Sequence, residues 1–280
     1  MFKELNYRIR SWLFTPATRP DRFAKACVSG ADVVILDCED SVAPGDKATA
    51  RQTALTYLSN APTGPARHAL RINGLGTPAG LADLAALTAS SAAPDFLILP
   101  KTDTAAHLQI LDELLTAVGR KTRLVALIES VNGLAAIESI AQATPRLAAM
   151  MFGAADMAAD LGAETAWEPL LHARSRLVAA ARSGGVVPLD SPFFDVKDDA
   201  GLQQEVSAAV ALGFAAKAAI HPAQIAAINQ ALTPGDEQVT RARAILAENA
   251  KGVGTIGGQM IDEAVARKAR RTLAAAGLAN

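Results

Sequence analysis

Eight short apolar runs recur along the chain, each closing on a polar or charged residue and each followed by a segment of helical character. They are SWLFTPA (11–17), DVVILDCED (32–40), ARHALRIN (66–73), FLILPK (96–101), RLVALIES (123–130), LAAMMFGAAD (147–156), VVPLDSP (186–192) and AKAAIHP (216–222). Apolar runs without alternation suit strands covered on both faces, as in a parallel sheet. Between them lie amphipathic stretches such as residues 105–119. There Leu108, Leu111, Leu115 and Val118 recur at helical spacing and Gly119 follows as a C-cap. Eight such strands alternating with helices predict an α/β protein, a (β/α)8 TIM barrel, over residues 1–222. A doubly wound open sheet is the competing architecture, but the glycine fingerprint expected after its first strand is missing. Residues 223–280 form a C-terminal helical extension. Helices are predicted over 223–232, 236–250 and 260–276. The intervening KGVGTIGGQ (251–259) is too glycine-rich to hold a fixed shape alone.

Barrel active sites stand at the C-terminal ends of the strands. Reading off those ends gives Asp37, Glu39 and Asp40 after the second strand, Arg71 and Asn73 after the third, and Lys101 after the fourth. Glu129 closes the fifth, Asp156 the sixth, Asp190 the seventh and His221 the eighth. Asp37 and Glu39, two residues apart, are expected to face the barrel mouth together, with Asp40 turned toward the loop. So many carboxylates on one rim repel one another, and a bound divalent cation relieves that. All-oxygen ligands favour Mg²⁺, or Mn²⁺, over zinc. The four histidines (His68, His107, His172 and His221) show no paired spacing that would suit zinc.

Composition narrows the class of partner. Half of the 280 residues are hydrophobic and the formal net charge is −1, so nothing advertises a nucleic-acid or membrane-surface partner. No apolar run is long enough to span a membrane, and the four-residue apolar stretch near the N-terminus is too short for a signal peptide. The two cysteines, Cys27 and Cys38, lack metal-type spacing and fit a reducing compartment, so a cytoplasmic protein is expected. Cys27 falls on a helix and Cys38 points away from Asp37 and Glu39, so neither is expected to carry chemistry.

The stretch RSWLFTPATRPDRFAKACVSGADVVILDCEDSVAPGDKATAR resembles the opening of the citrate lyase β-subunit family, which groups with the malyl-CoA lyases in a wider aldolase superfamily. RINGLGTP, LIES, FGAADMAADLG, AIHPAQI and GGQMIDEA continue the resemblance in order over nearly the whole chain. The resemblance implies a Mg²⁺-dependent lyase that cleaves a 3-hydroxyacyl-CoA (citryl-, malyl- or citramalyl-CoA) into an acyl-CoA and a 2-oxo acid. By the same resemblance Glu129 and Asp156 are the metal ligands, with Glu129 also beside the substrate. Arg71 binds the oxo-acid carboxylate. Asp262 is the acid/base, carried on a lid that reaches a neighbouring subunit of a trimer. Gly252, Gly254, Gly257 and Gly258 would give that lid mobility, and an N-terminal helix cap is the other role open to Asp262. Asp37 and Glu39 complete the expected catalytic set as outer-shell groups that orient Arg71. Arg19, Arg22, Lys25 and Lys217 are the residues expected to meet CoA, the thioester part of the substrate.

The chain departs from the family pattern at three places. Ala264 replaces a proline after Asp262, Ala216 replaces a glycine before Lys217, and Asp40 stands where non-CoA class II aldolases of the superfamily carry a histidine. Asp40 therefore argues against a pyruvate-type class II aldolase. A malate-synthase-like condensation or thioesterase, and a catalytically silent subunit, stay open at the level of sequence.

Overall fold

Every predicted strand sits in a closed parallel barrel, in chain order, with the last strand pairing back to the first. The computed structural model describes residues 9–61, 64–252 and 254–278. Its first half runs β1 (Ser11–Pro16), α1 (Phe23–Cys27), β2 (Val33–Asp37), α2 (Lys47–Ser59), β3 (Arg67–Arg71), α3 (Pro78–Ala89), β4 (Phe96–Leu99) and α4 (Ala105–Ala117). The second half runs β5 (Arg123–Ile128), α5 (Val131–Ala135), α6 (Ile137–Ala141), β6 (Leu147–Phe152), α7 (Ala154–Leu161), α8 (Trp167–Gly184), β7 (Val187–Asp190), α9 (Asp199–Leu212), β8 (Ala216–Ala219) and α10 (Ile225–Leu232). This is the (β/α)8 TIM barrel that the apolar runs predict. No described helix is long and apolar enough to cross a membrane.

Strand alternation divides the core into two layers. Trp12, Val33, Ile35, Ala69, Ile98 and Val125 fill the barrel interior. Leu13, Val34, Leu36, Leu70, Leu97 and Leu124 face outward against the helices. On α4, Leu108, Leu111 and Leu115 are buried as the helical spacing predicts. Val118 is not: it caps the helix and is 43% exposed, and Gly119 takes the left-handed φ of +68° that ends it.

Two sequence expectations change. Asp156 does not end β6; the strand stops at Phe152 and Asp156 lies in the first turn of α7. The glycine-rich segment is ordered as a hairpin, β9 (Gly254–Ile256) and β10 (Gln259–Ile261). Its turn residues Gly257 and Gly258 both take positive φ, which a two-residue hairpin turn requires and glycine supplies without steric cost. The extension continues as α11 (Asp236–Asn249), before the hairpin, and α12 (Glu263–Ala275), after it. The two helices pack around Ala242, Ile245, Ile261, Ala269 and Leu273, a cluster separate from the barrel core. A cleft of about 760 Å³ lies between this arm and the C-terminal ends of α8 and α9, where the chain turns back into β7 and β8. The arm thus packs beside the face opposite the strand C-termini.

Candidate active site

The rim of the barrel is organised by register. Asp37 on β2 is the direct parallel neighbour of Arg71 on β3, and both follow interior residues (Ile35 and Ala69) at spacing two. Arg71 donates from Nε to Asp37 Oδ1 at 2.6 Å and from Nη2 to Asp37 Oδ2 at 2.7 Å, a planar fork on a carboxylate. Its Nη1 lies 2.9 Å from Glu39 Oε2, an ion contact whose angle does not make a hydrogen bond, and its guanidinium sits 4.7 Å above the Phe14 ring. Burial alone would raise the Asp37 carboxyl, but Arg71, the Ser41 side chain and the Glu39 amide hold it below the usual range. Glu39 has less compensation. Burial, with Asp40 and Asp37 nearby, pushes it up to about 7 against the pull of Arg71 and Lys101.

Glu129 follows β5 and points into the same mouth. It is 4% exposed, and burial with Glu39 and Asp156 close by raises its carboxyl well above the ordinary range. One oxygen, Oε1, accepts the Lys101 amide at 2.8 Å. The other, Oε2, lies against Gly153: a Cβ there would stand 2.6 Å from it, so only glycine admits the carboxylate this close. Asp156 opens α7 three residues on.

A cavity of about 300 Å³ joins these groups. Asp37, Asp40, Glu129 and Asp156 supply its acids, and Arg71 is the one cation among the described residues lining it. The rest of its lining is largely apolar: Phe14 lies under the Arg71 guanidinium, and Leu127, Met151, Pro192, Phe194 and Ile220 complete it. This donor set fits a divalent cation. Burial, with Glu39 and Asp156 nearby, raises the Glu129 carboxyl for want of positive charge, and Gly153 lets its Oε2 lie close to the start of α7, which carries Asp156. Among the described residues no three His, Cys, Asp or Glu side chains converge to enclose a metal. Mg²⁺ takes one or two carboxylates and fills its octahedron with water and substrate oxygens, so Glu129 and Asp156 would be enough to hold it.

The structure does not bring every predicted residue here. Lys217 is the clearest correction. Ala216 and Ala218 face the barrel interior, so Lys217 between them points outward, 1% exposed, with Nζ 2.7 Å from both Asp190 Oδ2 and Glu205 Oε1. It is neutralised beneath the helices and cannot meet CoA. Asp190 is turned outward by the same parity, after interior Leu189, and also pairs with Arg174 at 3.1 Å. Lys217→Met is expected to cost about 3 kcal/mol, the low end for stripping a buried pair because Arg174 still faces Asp190. Urea unfolding measures this, with CoA affinity unchanged.

Arg19, Arg22 and Lys25 are exposed on the turn and helix that follow β1, with Arg19 paired to Asp21 at 2.8 Å. His221 Nδ1 accepts from Ala223 N–H at 3.2 Å, capping the turn after β8. Asp262 lies outside the cavity lining. Its Oδ1 accepts the Val265 amide at 3.0 Å, the N-cap of α12. Cys38 is buried, with its thiol pushed far up by burial, and Cys27 is partly buried at 3.4 Å from the Tyr57 hydroxyl.

Three further residues support the site. Lys47 Nζ donates to the carbonyls of Glu39 and Cys38 at 2.6 and 3.3 Å, fixing the backbone that presents Glu39. Asp83, 2% exposed, accepts from Asn73 N–H at 2.8 Å and pairs with Arg51 at 2.6 Å, bracing the loop after Arg71. Asn73 is thereby a brace and not a cavity residue. Lys101, on the rim, reaches Glu129 through its backbone.

Fold and site together define a barrel enzyme that works at an acidic mouth with a single arginine. The HpcH/HpaI aldolase/citrate lyase family profile matches residues 10–222, and the chain belongs to that family, as a lyase. It is 40% identical to the L-malyl-CoA/beta-methylmalyl-CoA lyase of Rhodobacter capsulatus, over 93% of this chain and 92% of that protein. Among solved structures it is similar to CitE from Mycobacterium tuberculosis in complex with magnesium, acetoacetate and coenzyme A. The TM-score is 0.81 at 38% identity, covering 96% of this chain and 98% of that one. RipC from Yersinia pestis matches with a TM-score of 0.75 at 53% identity, covering 84% and 99%.

Proposed function

We propose that this lyase is Mg²⁺-dependent and cleaves the C2–C3 bond of a 3-hydroxyacyl-CoA, giving an acyl-CoA and a 2-oxo acid. The observation that carries the reading is the cavity itself, whose lining combines four acids and one arginine with apolar side chains. Glu129 and Asp156 would hold the cation, which supplies Lewis-acid stabilisation of negative charge on substrate oxygen. Arg71 is clamped in place by Asp37 and binds the oxo-acid carboxylate through its remaining Nη hydrogens. The hydroxyl passes its proton to solvent water in the mouth, its O–H electron pair becomes the C3=O bond of the 2-oxo acid, the C2–C3 pair moves to the acyl-CoA enolate, and the enolate is protonated at C2. Asp262 of a neighbouring copy is the acid for that last step, in a trimer whose arms cover adjoining mouths. Arg22, Lys25 and Arg19 meet the CoA phosphates. Both cysteines are free thiols, in keeping with a cytoplasmic enzyme.

The lining also selects among substrates. Arg71 already faces Asp37 and Glu39, and the remaining lining offers Met151, Pro192, Phe194 and Ile220 but no second cation among the described residues. A 2-oxo acid with a short apolar end, glyoxylate or pyruvate, fits this better than oxaloacetate, whose second carboxylate would be left without a partner. Malyl- or citramalyl-CoA is therefore favoured over citryl-CoA. A panel of the three thioesters with Mg²⁺, followed for oxo acid and for free CoA, tests this. Oxo acid without free CoA is expected, with citryl-CoA at least about tenfold slower, the size of one desolvated charge mismatch. Release of free CoA would mean a thioesterase, and release of neither product would mean a silent subunit.

A further inference from the structure

Lys101 is the one non-glycine residue with positive φ among the described residues, at +50°. Side chains with a Cβ take this conformation at a steric cost, and it persists where the surroundings over-determine it. Here they do. Thr102 N–H reaches Leu127 O at 3.2 Å, extending the pairing of β4 and β5 past the strand end, and Thr102 Oγ1 closes onto Leu99 O at 2.8 Å. The Ser130 hydroxyl bonds Asp103 Oδ1 from the neighbouring loop. Gly133 packs so closely on Thr102 O that a Cβ would stand 2.7 Å from it. With the following residues fixed, the left-handed turn at Lys101 aims its amide inward at Glu129 Oε1, 2.8 Å away.

The consequence falls on the other oxygen. Oε1 is held by that amide and Oε2 is set against Gly153, so Glu129 has one orientation and presents Oε2 toward the turn that carries Asp156. The ammonium of Lys101 goes elsewhere: its Nζ is 3.5 Å from Glu39 Oε1 and its side chain is half exposed. We propose that Lys101 is a positioning residue whose backbone conformation, and not its charge, orients Glu129 for the divalent cation. This rests on the metal assignment made above for Glu129 and Asp156.

The two ideas separate experimentally through Mn²⁺ binding, read by the loss of free Mn²⁺ signal in electron paramagnetic resonance. Glycine occupies the left-handed region without strain, methionine keeps the lysine's shape without its charge, and β-branched residues resist the region most strongly. Lys101→Gly and Lys101→Met are expected to bind Mn²⁺ within about threefold of the native protein. Lys101→Val is expected to bind at least about tenfold more weakly, with Lys101→Thr as the second β-branched variant should the valine protein not fold. A turn with a purely structural role would lower the melting temperature of the β-branched variants and leave Mn²⁺ affinity of the folded protein unchanged. That result overturns the proposal, as does an equal loss in the glycine and valine variants. If the native protein itself takes up no Mn²⁺, the metal assignment fails and this inference falls with it.

Discussion

Glu129→Gln combined with Asp156→Asn is expected to abolish Mg²⁺-dependent binding of glyoxylate or pyruvate and to lower turnover by at least about a thousandfold. Both changes keep shape and remove charge, so what is lost is the affinity for a cation. The protein should not be destabilised by the change. The Glu129 carboxyl lies well above its ordinary range, with burial as the leading cause, and the ionised form is therefore disfavoured in the native state. A carboxyl raised on folding makes stability fall as pH climbs past its unfolded value, toward the folded one. At neutral pH a glutamine removes that penalty, and the metal-free variant is expected to melt at or above the temperature of the metal-free native protein. Calorimetric titration reads the binding. Heat and stoichiometry unchanged from the native protein would sink the metal assignment.

The strands were legible because burial on both faces leaves a mark that survives in a single sequence. Eight apolar runs with no alternation have few other uses, and all eight form the barrel. The same feature hides which residues face inward. In AKAAIHP the residues flanking Lys217 are alanines, small enough for either layer, and nothing in the run shows that Ala216 and Ala218 face the interior. Asp190, which the strand end points to the mouth, and Lys217, which the family resemblance assigns to CoA, instead form a buried ion pair beneath α8 and α9. Asp37 and Arg71 were legible because Val33, Ile35 and Ala69 have interior partners at spacing two. Lys101 is legible as a strand-end residue, but its backbone conformation is not, because a left-handed backbone at a non-glycine residue has no composition to betray it. The hairpin in the arm was missed for the opposite reason. Glycines read as freedom when taken singly, yet two in succession between short β-prone segments encode a turn.

Asp262→Asn is expected to lower turnover by about 10²- to 10⁴-fold, the range for losing a positioned acid or base, and to leave Mg²⁺ binding intact. Asparagine caps a helix about as well as aspartate, so α12 keeps its N-terminal hydrogen bond and loses only a charge near the helix dipole. The substitution thus separates the two roles open to this residue. Undiminished activity would leave it a cap and nothing more. In one chain the carboxylate lies outside the cavity, so the acid/base role requires a second copy. That requirement has its own test. Asp262→Asn chains retain Glu129 and Asp156, while the Glu129→Gln, Asp156→Asn chains retain Asp262. Co-expression of the two inactive forms rebuilds about a quarter of the sites by random assembly if neighbouring copies share them. If each copy works alone, every site in the mixture lacks one necessary group and the activity stays at the level of the separate variants.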